Sequence, residues 1–321
     1  MIHQLSFLAY DTLCTVSADI PTPHDADKIL EGARDIAISV ESTLNRYDPA
    51  SELARLCTAY ETGTAYCVSD MLYTFLKENL YLAEITNGAF DPTVGPLIKL
   101  WNFLSDDPKV PDKELLLKTL QRIGYQHIKL DAERKTVAFD APGIIVDPGA
   151  SGKGFALGLV ADYLRNCGIT TGACNFGGNI YAIGMKQEDQ HNPKRPWKVA
   201  ILDPNDRQKT IGTVELADMG VSTSSWYEHC FTKENELFHH LLDTRTGMPK
   251  PLHLKSVSIV STNAFFTDLL STAFLMLNEE DGKKLLERMA AETGDVIEYV
   301  AVLEDGNIST SLGSNFCLKT E

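Results

Sequence analysis

Apolar and polar positions along this chain follow two periods, and the alternation between them outlines the elements. Asp25–Leu44, "DADKILEGARDIAISVESTL", spaces its apolar residues at helical intervals behind Pro21 and Pro23. A second amphipathic helix is expected in "SDMLYTFLKENLYLAEITNG", with Ser69 or Asp70 as cap and Gly88 as stop. "DKELLLKTLQRIG" predicts a shorter helix, and Lys153–Asn166 another that is stopped at Gly168. "TNAFFTDLLSTAFLML" is apolar on nearly every side and predicts a buried helix; "EEDGKKLLERMAAETG" predicts an exposed one. "MIHQLSFLAY" reads as the first strand, and "LSFLAYDTLCTV" has strand composition. "HIKLD" and "TVAFD" flank a polar turn and predict a hairpin. Further short strands are expected at "GACNF", "NIYAIG", "WKVAIL", "GTVEL", "HHLLD" and "DVIEYVAVL", with one more closing the chain.

Helices and strands mix here without a regular βαβ rhythm. The expectation is therefore α+β, with mixed sheets and packed helices, rather than a doubly wound parallel sheet. No repeat or low-complexity linker divides the chain, so residues 1–321 are expected to form one domain. The polar run Lys186–Pro196, "KQEDQHNPKRP", reads as a surface loop.

Composition narrows the function. With 44% hydrophobic and 23% charged residues, the chain can build an ordinary core. A formal net charge of −15 argues against a nucleic-acid surface, which needs a basic footprint. An anionic ligand would need local compensation from a lysine, backbone N–H groups or a metal. The seven cysteines are odd in number and contain no CxxC, so neither a disulfide framework nor a zinc site is signalled. No stretch has the length of a membrane span, and "MIHQLSFLAY" lacks the regions of a signal peptide. A cytoplasmic protein is expected, or one from which a leader has been removed.

Five stretches carry candidate chemistry. "DPGASGKGFA", Asp147–Ala156, joins an apolar run to a helix through three glycines and a lysine. A triphosphate loop would need Gly where Asp147 stands and Ser or Thr where Gly154 stands. The dinucleotide spacing GxGxxG fails too, since the glycines run GxxGxG. An anion site at a helix start and an ordinary turn both remain open. Asp268 and Thr272 are spaced i, i+4 and share one face of an apolar helix; they suit a hard cation, although an isolated pair favours a surface-pointing Asp with a Thr bonded back to its own helix. "HHLLDTRTGMP" brings His240, Asp243 and Arg245 together, a set able to do acid–base and phosphate work or to brace a turn. "GAFDPTVGPLIKLW" is an irregular loop fixed by Pro92 and Pro96, and Gly177–Gly178 in "NFGGNIYAIG" permits a bulge or a close ligand approach.

Seven blocks in fixed order, "NRYDPASELARL", "GAFDPTVGPLIKLW", "VDPGASGKGFA", "NFGGNIYAIG", "VSTSSWYE", "HHLLDTRTGMP" and "TDLLSTAF", resemble the ApbE family of flavin transferases, from about Tyr10 to about Leu277. The resemblance implies an FAD:protein FMN transferase. Such an enzyme cleaves the FAD pyrophosphate with Mg²⁺, passes FMN to a Thr or Ser of an acceptor protein, and releases AMP. It implies FAD contacts at Tyr10, Tyr47, Ala89, Phe90, Asp91, Asp147 and Lys153. It implies metal ligation by the Ala150 carbonyl, Asp268 and Thr272, and activation of the acceptor hydroxyl by the block that holds His240; chemically, His240 suits the role of base, with Asp243 a candidate orienting partner. Some positions depart from the family wording. Tyr10-Asp11-Thr12 stands for Met-Gly-Thr, Pro148–Gly154 for Leu-Gly-Gly-Ile-Ala-Lys-Gly, Thr223-Ser224-Ser225 for Thr-Ser-Gly, and Asp243–Gly247 carries Thr244 for the usual proline. An FAD pyrophosphatase using water as acceptor would use the same metal site, and a non-enzymatic flavin carrier is a third reading.

Overall fold

At residues 10 and 11 the backbone turns back on itself. The segment that reads as one strand is a hairpin, β1 (Ile2–Ala9) and β2 (Thr12–Asp19), with Ala9 opposite Thr12. Tyr10 and Asp11 both adopt left-handed φ values, 55° and 54°. Two such residues make a two-residue turn whose twist suits antiparallel strands. Tyrosine gives no turn signal, so the break is invisible in composition. The computed structural model describes residues 1–103, 105–106, 108–186, 193–227 and 229–319.

Helix α1 (Pro23–Leu44) starts at Thr22, whose side chain accepts the Asp25 N–H, and buries Ala26, Leu30, Ala33, Ala37, Val40 and Leu44 at alternating spacings of three and four. Then come α2 (Glu52–Ala59), β3 (Ala65–Cys67) and α3 (Asp70–Ile85), which Ser69 caps. A short 3-10 turn at Pro92–Val94 leads into α4 (Gly95–Trp101), followed by α5 (Lys113–Leu120). The expected hairpin forms as β4 (Ile128–Asp131) and β5 (Thr136–Phe139), with β3 added beside β5. The chain continues through α6 (Gly152–Asn166), β6 (Gly172–Phe176), β7 (Asn179–Ile183), β8 (Trp197–Asp203), β9 (Asp206–Leu216) and β10 (Met219–Ser225). It ends through β11 (Cys230–Lys233), β12 (Glu236–His239), β13 (Leu254–Ser261), α7 (Ala264–Leu275), α8 (Glu279–Thr293), β14 (Ile297–Leu303), β15 (Ile308–Thr310) and β16 (Phe316–Leu318).

Among the described residues the main sheet runs β1-β2-β6-β7-β10-β13-β14-β15, and every pair is antiparallel. The class is therefore α+β. Helices α1, α6 and α7 cover one face. On that side Val257, Ile259, Tyr299 and Ala301 join the main core; Val260 and Val300, one residue out of step, join a second core with Ile201 and Val214 of the β8–β9 layer. Period-two alternation here separates two buried faces, each buried Val or Ile contributing about 1.5–3 kcal/mol. A third cluster joins Leu97, Trp101, Leu116, Phe238 and Leu242.

Two expectations are corrected. "HHLLD" is not a strand: β12 stops at His239, and beyond it only Leu242 is bridged, to Pro249. Residues 187–192 of the expected surface loop lie outside the described residues, while its ends, Lys186 and Arg195, are bridged antiparallel. Among the described residues no helix is long and apolar enough to cross a membrane.

Helices α6 and α7 meet at Gly154. A Cβ placed there would lie 2.4 Å from the Cβ of Asp268, whereas one on Gly158 would meet nothing closer than 3.9 Å. Gly154→Ala is thus expected to destabilise the protein by about 1–3 kcal/mol through forced separation of the helices. Gly158→Ala is expected to stabilise it by up to about 1 kcal/mol through helix propensity. Urea unfolding of both variants checks the pair.

Candidate functional site

The sequence-distant stretches converge on one cavity of about 1020 Å³, at the upper end of the range for small-molecule sites. Two of its loops are tied together by the backbone: the Asp147 N–H donates to the Pro92 carbonyl at 2.7 Å. Gly95 makes the approach possible, since a Cβ there would lie 2.6 Å from the Ile145 carbonyl oxygen.

The wall at the start of α6 is organised by Asp147. Its Oδ1 accepts the Gly149 N–H at 2.7 Å, and its Oδ2 pairs with Arg46 Nε at 2.8 Å. The turn this holds presents the Ala150 carbonyl, which accepts no hydrogen bond from a described residue. Ser151 does not cap α6 with its side chain; its Oγ donates instead to Asn79 Oδ1. A side chain from another helix takes over that role. The Gly154 N–H, one of the unpaired donors of a helix start, donates to Asp268 Oδ2 at 2.8 Å. The negative charge sits where the helix dipole favours it. Lys153 lines the cavity beside this contact and makes no hydrogen bond or ion pair with a described residue.

Helix α7 is started by Asn263, whose Oδ1 accepts the Phe265 and Phe266 N–H groups. Its periodicity then turns Asp268 and Thr272 toward the cavity. Asp268 is 6% exposed. Its second oxygen has no hydrogen bond or ion pair among the described residues. Such a carboxylate is costly to bury without a cation. Thr272 Oγ1 lies 2.9 Å from Ser224 Oγ of β10. No group of three or more His, Cys, Asp or Glu side chains that could hold a metal occurs among the described residues. One carboxylate, one hydroxyl and one free carbonyl nevertheless fit a hard divalent ion that keeps waters or phosphate oxygens in its remaining positions.

His240 enters from the β11–β12 hairpin. The His229 carbonyl accepts both the His240 backbone N–H at 3.0 Å and, at 3.2 Å, its Nδ1. A carbonyl only accepts, so Nδ1 carries the proton and Nε2 is left as the basic atom. The orienting partner is thus the His229 carbonyl rather than Asp243. The Asp243 carboxylate is taken by Arg245, at 3.0 Å to Nη2 and 3.2 Å to Nε. Burial first, then His229 and His239, push the His240 pKa down to about 4.

The remaining expected residues divide. Tyr47, Ala89, Phe90 and Asp91 line the cavity. Tyr47 stands at its mouth, 69% exposed, with the Arg46 guanidinium 4.3 Å from its ring centre. Asp91 already accepts three hydrogen bonds within its own loop region, from the N–H and Oγ1 of Thr93 and from the Tyr125 N–H. Burial nonetheless raises its pKa. Tyr10 does not line the cavity: its hydroxyl donates to the Ala37 carbonyl of α1 and its ring stacks on Phe176. Arg46, Lys99, His229 and Asn179 line the cavity without having been singled out. Arg46 had a signal next to Tyr47 in "NRYDP", as did Lys99 in "GAFDPTVGPLIKLW" and Asn179 in "NFGGNIYAIG"; His229 lies outside every quoted block.

Residues 10–296 match the family model described as the ApbE family. The chain is 30% identical over 317 residues to a protein of Treponema pallidum named FAD:protein FMN transferase, covering 95% of this chain and 86% of that one. Among solved structures it is similar to the ApbE protein of Thermotoga maritima, with a TM-score of 0.83, 27% identity and 97% of both chains covered. The flavin transferase ApbE of Vibrio cholerae gives a TM-score of 0.82 at 26% identity over 98% of both chains.

The depressed His240 pKa has a stability consequence. Between about pH 6.5 and about pH 4 the unfolded chain binds a proton at this position that the folded chain does not. Stability from His240 is full above that window and is lost as pH falls through it. Buried His239, also shifted down by burial, adds in the same direction. Denaturant midpoints measured across this window are expected to fall with pH, and less steeply in His240→Gln.

Proposed function

The chain belongs to the ApbE family, and from that premise we propose that it is a Mg²⁺-dependent FAD:protein FMN transferase. In this reading it cleaves the FAD pyrophosphate, joins FMN through a phosphoester to a Thr or Ser of an acceptor protein, and releases AMP. One observation carries the reading: a buried carboxylate, Asp268, caps the helix whose first turn holds Lys153, with one oxygen left without a partner among the described residues.

FAD occupies the cavity with its pyrophosphate toward the start of α6. Lys153 supplies a point charge to the phosphates, and Arg46, held by Asp147, adds positive potential at the flavin side near Tyr47. Asp268, Thr272 and the Ala150 carbonyl would hold Mg²⁺, which when bound neutralises the pyrophosphate and stabilises the departing AMP. Nε2 of His240 takes the proton of the acceptor hydroxyl, whose oxygen then attacks the phosphorus on the FMN side while the bond to the AMP phosphate breaks.

Incubating the protein with FAD, MgCl₂ and candidate acceptor proteins, followed by mass spectrometry, is expected to find a Thr or Ser carrying FMN. An acceptor-free control separates transfer from hydrolysis: FMN release at the same rate without acceptor would establish the pyrophosphatase reading instead. Asp268→Ala is expected to lower transfer at least about a hundredfold, and full activity in that variant would refute the metal assignment. Lys153→Ala is expected to weaken FAD binding about tenfold or more through loss of a charged contact, read by calorimetric titration.

A further inference from the structure

Asn179 opens β7, directly after the left-handed pair Gly177 and Gly178, and lines the cavity. It is 5% exposed, and its Nδ2 is a buried donor without a hydrogen-bond partner among the described residues. A buried amide left unpaired is costly, and native structures rarely keep one without a reason. Strand pairing shows which way the side chain faces. Ile180 pairs with Val221, so the next position on the ladder sets Asn179 beside Ser222. Paired residues share a face of the sheet, and Ser222 Oγ meets Thr267 Oγ1 of α7 at 2.7 Å, one residue before Asp268. Asn179 therefore lies on the sheet face packed by α6 and α7, the helices that carry Lys153 and Asp268.

We infer that Asn179 is a substrate-binding residue whose carboxamide donates a hydrogen bond to a phosphoryl oxygen of the FAD pyrophosphate; the inference rests on the FAD reading above. The group completing Nδ2 must be an acceptor, and at this end of the cavity the substrate presents phosphate oxygens. The amide is occluded in the free protein, so it turns about its Cβ–Cγ bond to meet the ligand; that torsion is broad for asparagine. The neighbouring glycine pair leaves room, since a Cβ on Gly178 would have no atom within 4 Å. A neutral donor suits this position: it binds an anion without adding a charge that would pair with Asp268.

The test compares wild type, Asn179→Ala and the isosteric Asn179→Asp in the presence of MgCl₂, titrating FAD, ADP and riboflavin, with thermal unfolding of each ligand-free protein. Asn179→Ala is expected to bind FAD and ADP about tenfold more weakly, to bind riboflavin as wild type does, and to keep or raise Tm, because the unpaired donor is gone. Asn179→Asp is expected to bind FAD more weakly still, since a carboxylate there repels the phosphates. Unchanged FAD and ADP affinity in Asn179→Ala overturns the assignment. So does an equal loss for riboflavin, which would put the contact on the ring system, or a fall in Tm with proportional loss of all three ligands. Wild-type protein that does not bind FAD defeats the transferase reading together with this one. Wild-type protein that binds FAD, beside an alanine variant that binds it equally well, defeats only the role of Asn179.

Discussion

The hydrogen bond from the Gly154 N–H to the Asp268 carboxylate is the constraint on which the rest of the site depends. It requires that residue 154 have no side chain, because the Cβ of Asp268 occupies that space. It supplies the cap that Ser151 does not, and so it sets where α6 begins and where Lys153 points. It also fixes α7 against α6, and both helices lie on the same face of the long antiparallel sheet. A buried carboxylate with a single neutral donor is not a stable end point in an apolar helix. One contact thus packs the helices and leaves a buried carboxylate at the cavity wall.

A second theme is local charge in an acidic chain. The net charge of −15 is a property of the whole surface. Inside the cavity Arg46, Lys99 and Lys153 face Asp91, Asp147 and Asp268. Asp147 is committed to Arg46, and Asp91 accepts hydrogen bonds from its surroundings. Much of the acidic charge in the cavity is therefore engaged in holding loops, leaving Lys153 to meet an anion. Field strength at a site follows from which charges are already paired, and a total charge does not report that.

The sequence was legible where period and cap agreed. Helix α1 shows its stripe from Ala26 to Leu44, and α3 its Ser69 cap, so both are readable. Strands β10 and β13 are not: "MGVSTSS" and "LKSVSIVS" are rich in serine, a weak strand former, and their hydroxyls are satisfied only across elements, as in Thr223 with Ser258. The turn at Tyr10 was hidden because an unsuited residue takes a left-handed conformation there. At the site, Asp268 and Thr272 show their shared face in the spacing alone. The partner of His240 does not, because it is a backbone carbonyl reached through a hairpin register. The chemistry of Asn179 was likewise unreadable, since an unsatisfied donor exists only once its neighbours are placed.

The seating of His240 has an architectural consequence. Just before it, Phe238 packs in the satellite cluster with Trp101 and Leu97; just after it, Leu241 belongs to the main core and Leu242 to the satellite again. The imidazole therefore rides on a seam between two separately packed bodies, whereas Asp268 is embedded in one of them. The distance between base and carboxylate is a relation between bodies, not a property of either. Packing changes around Trp101 can re-aim the base while the carboxylate keeps its surroundings. Repacking a small aromatic cluster can thus shift His240 without touching the wall of the cavity that carries Asp268.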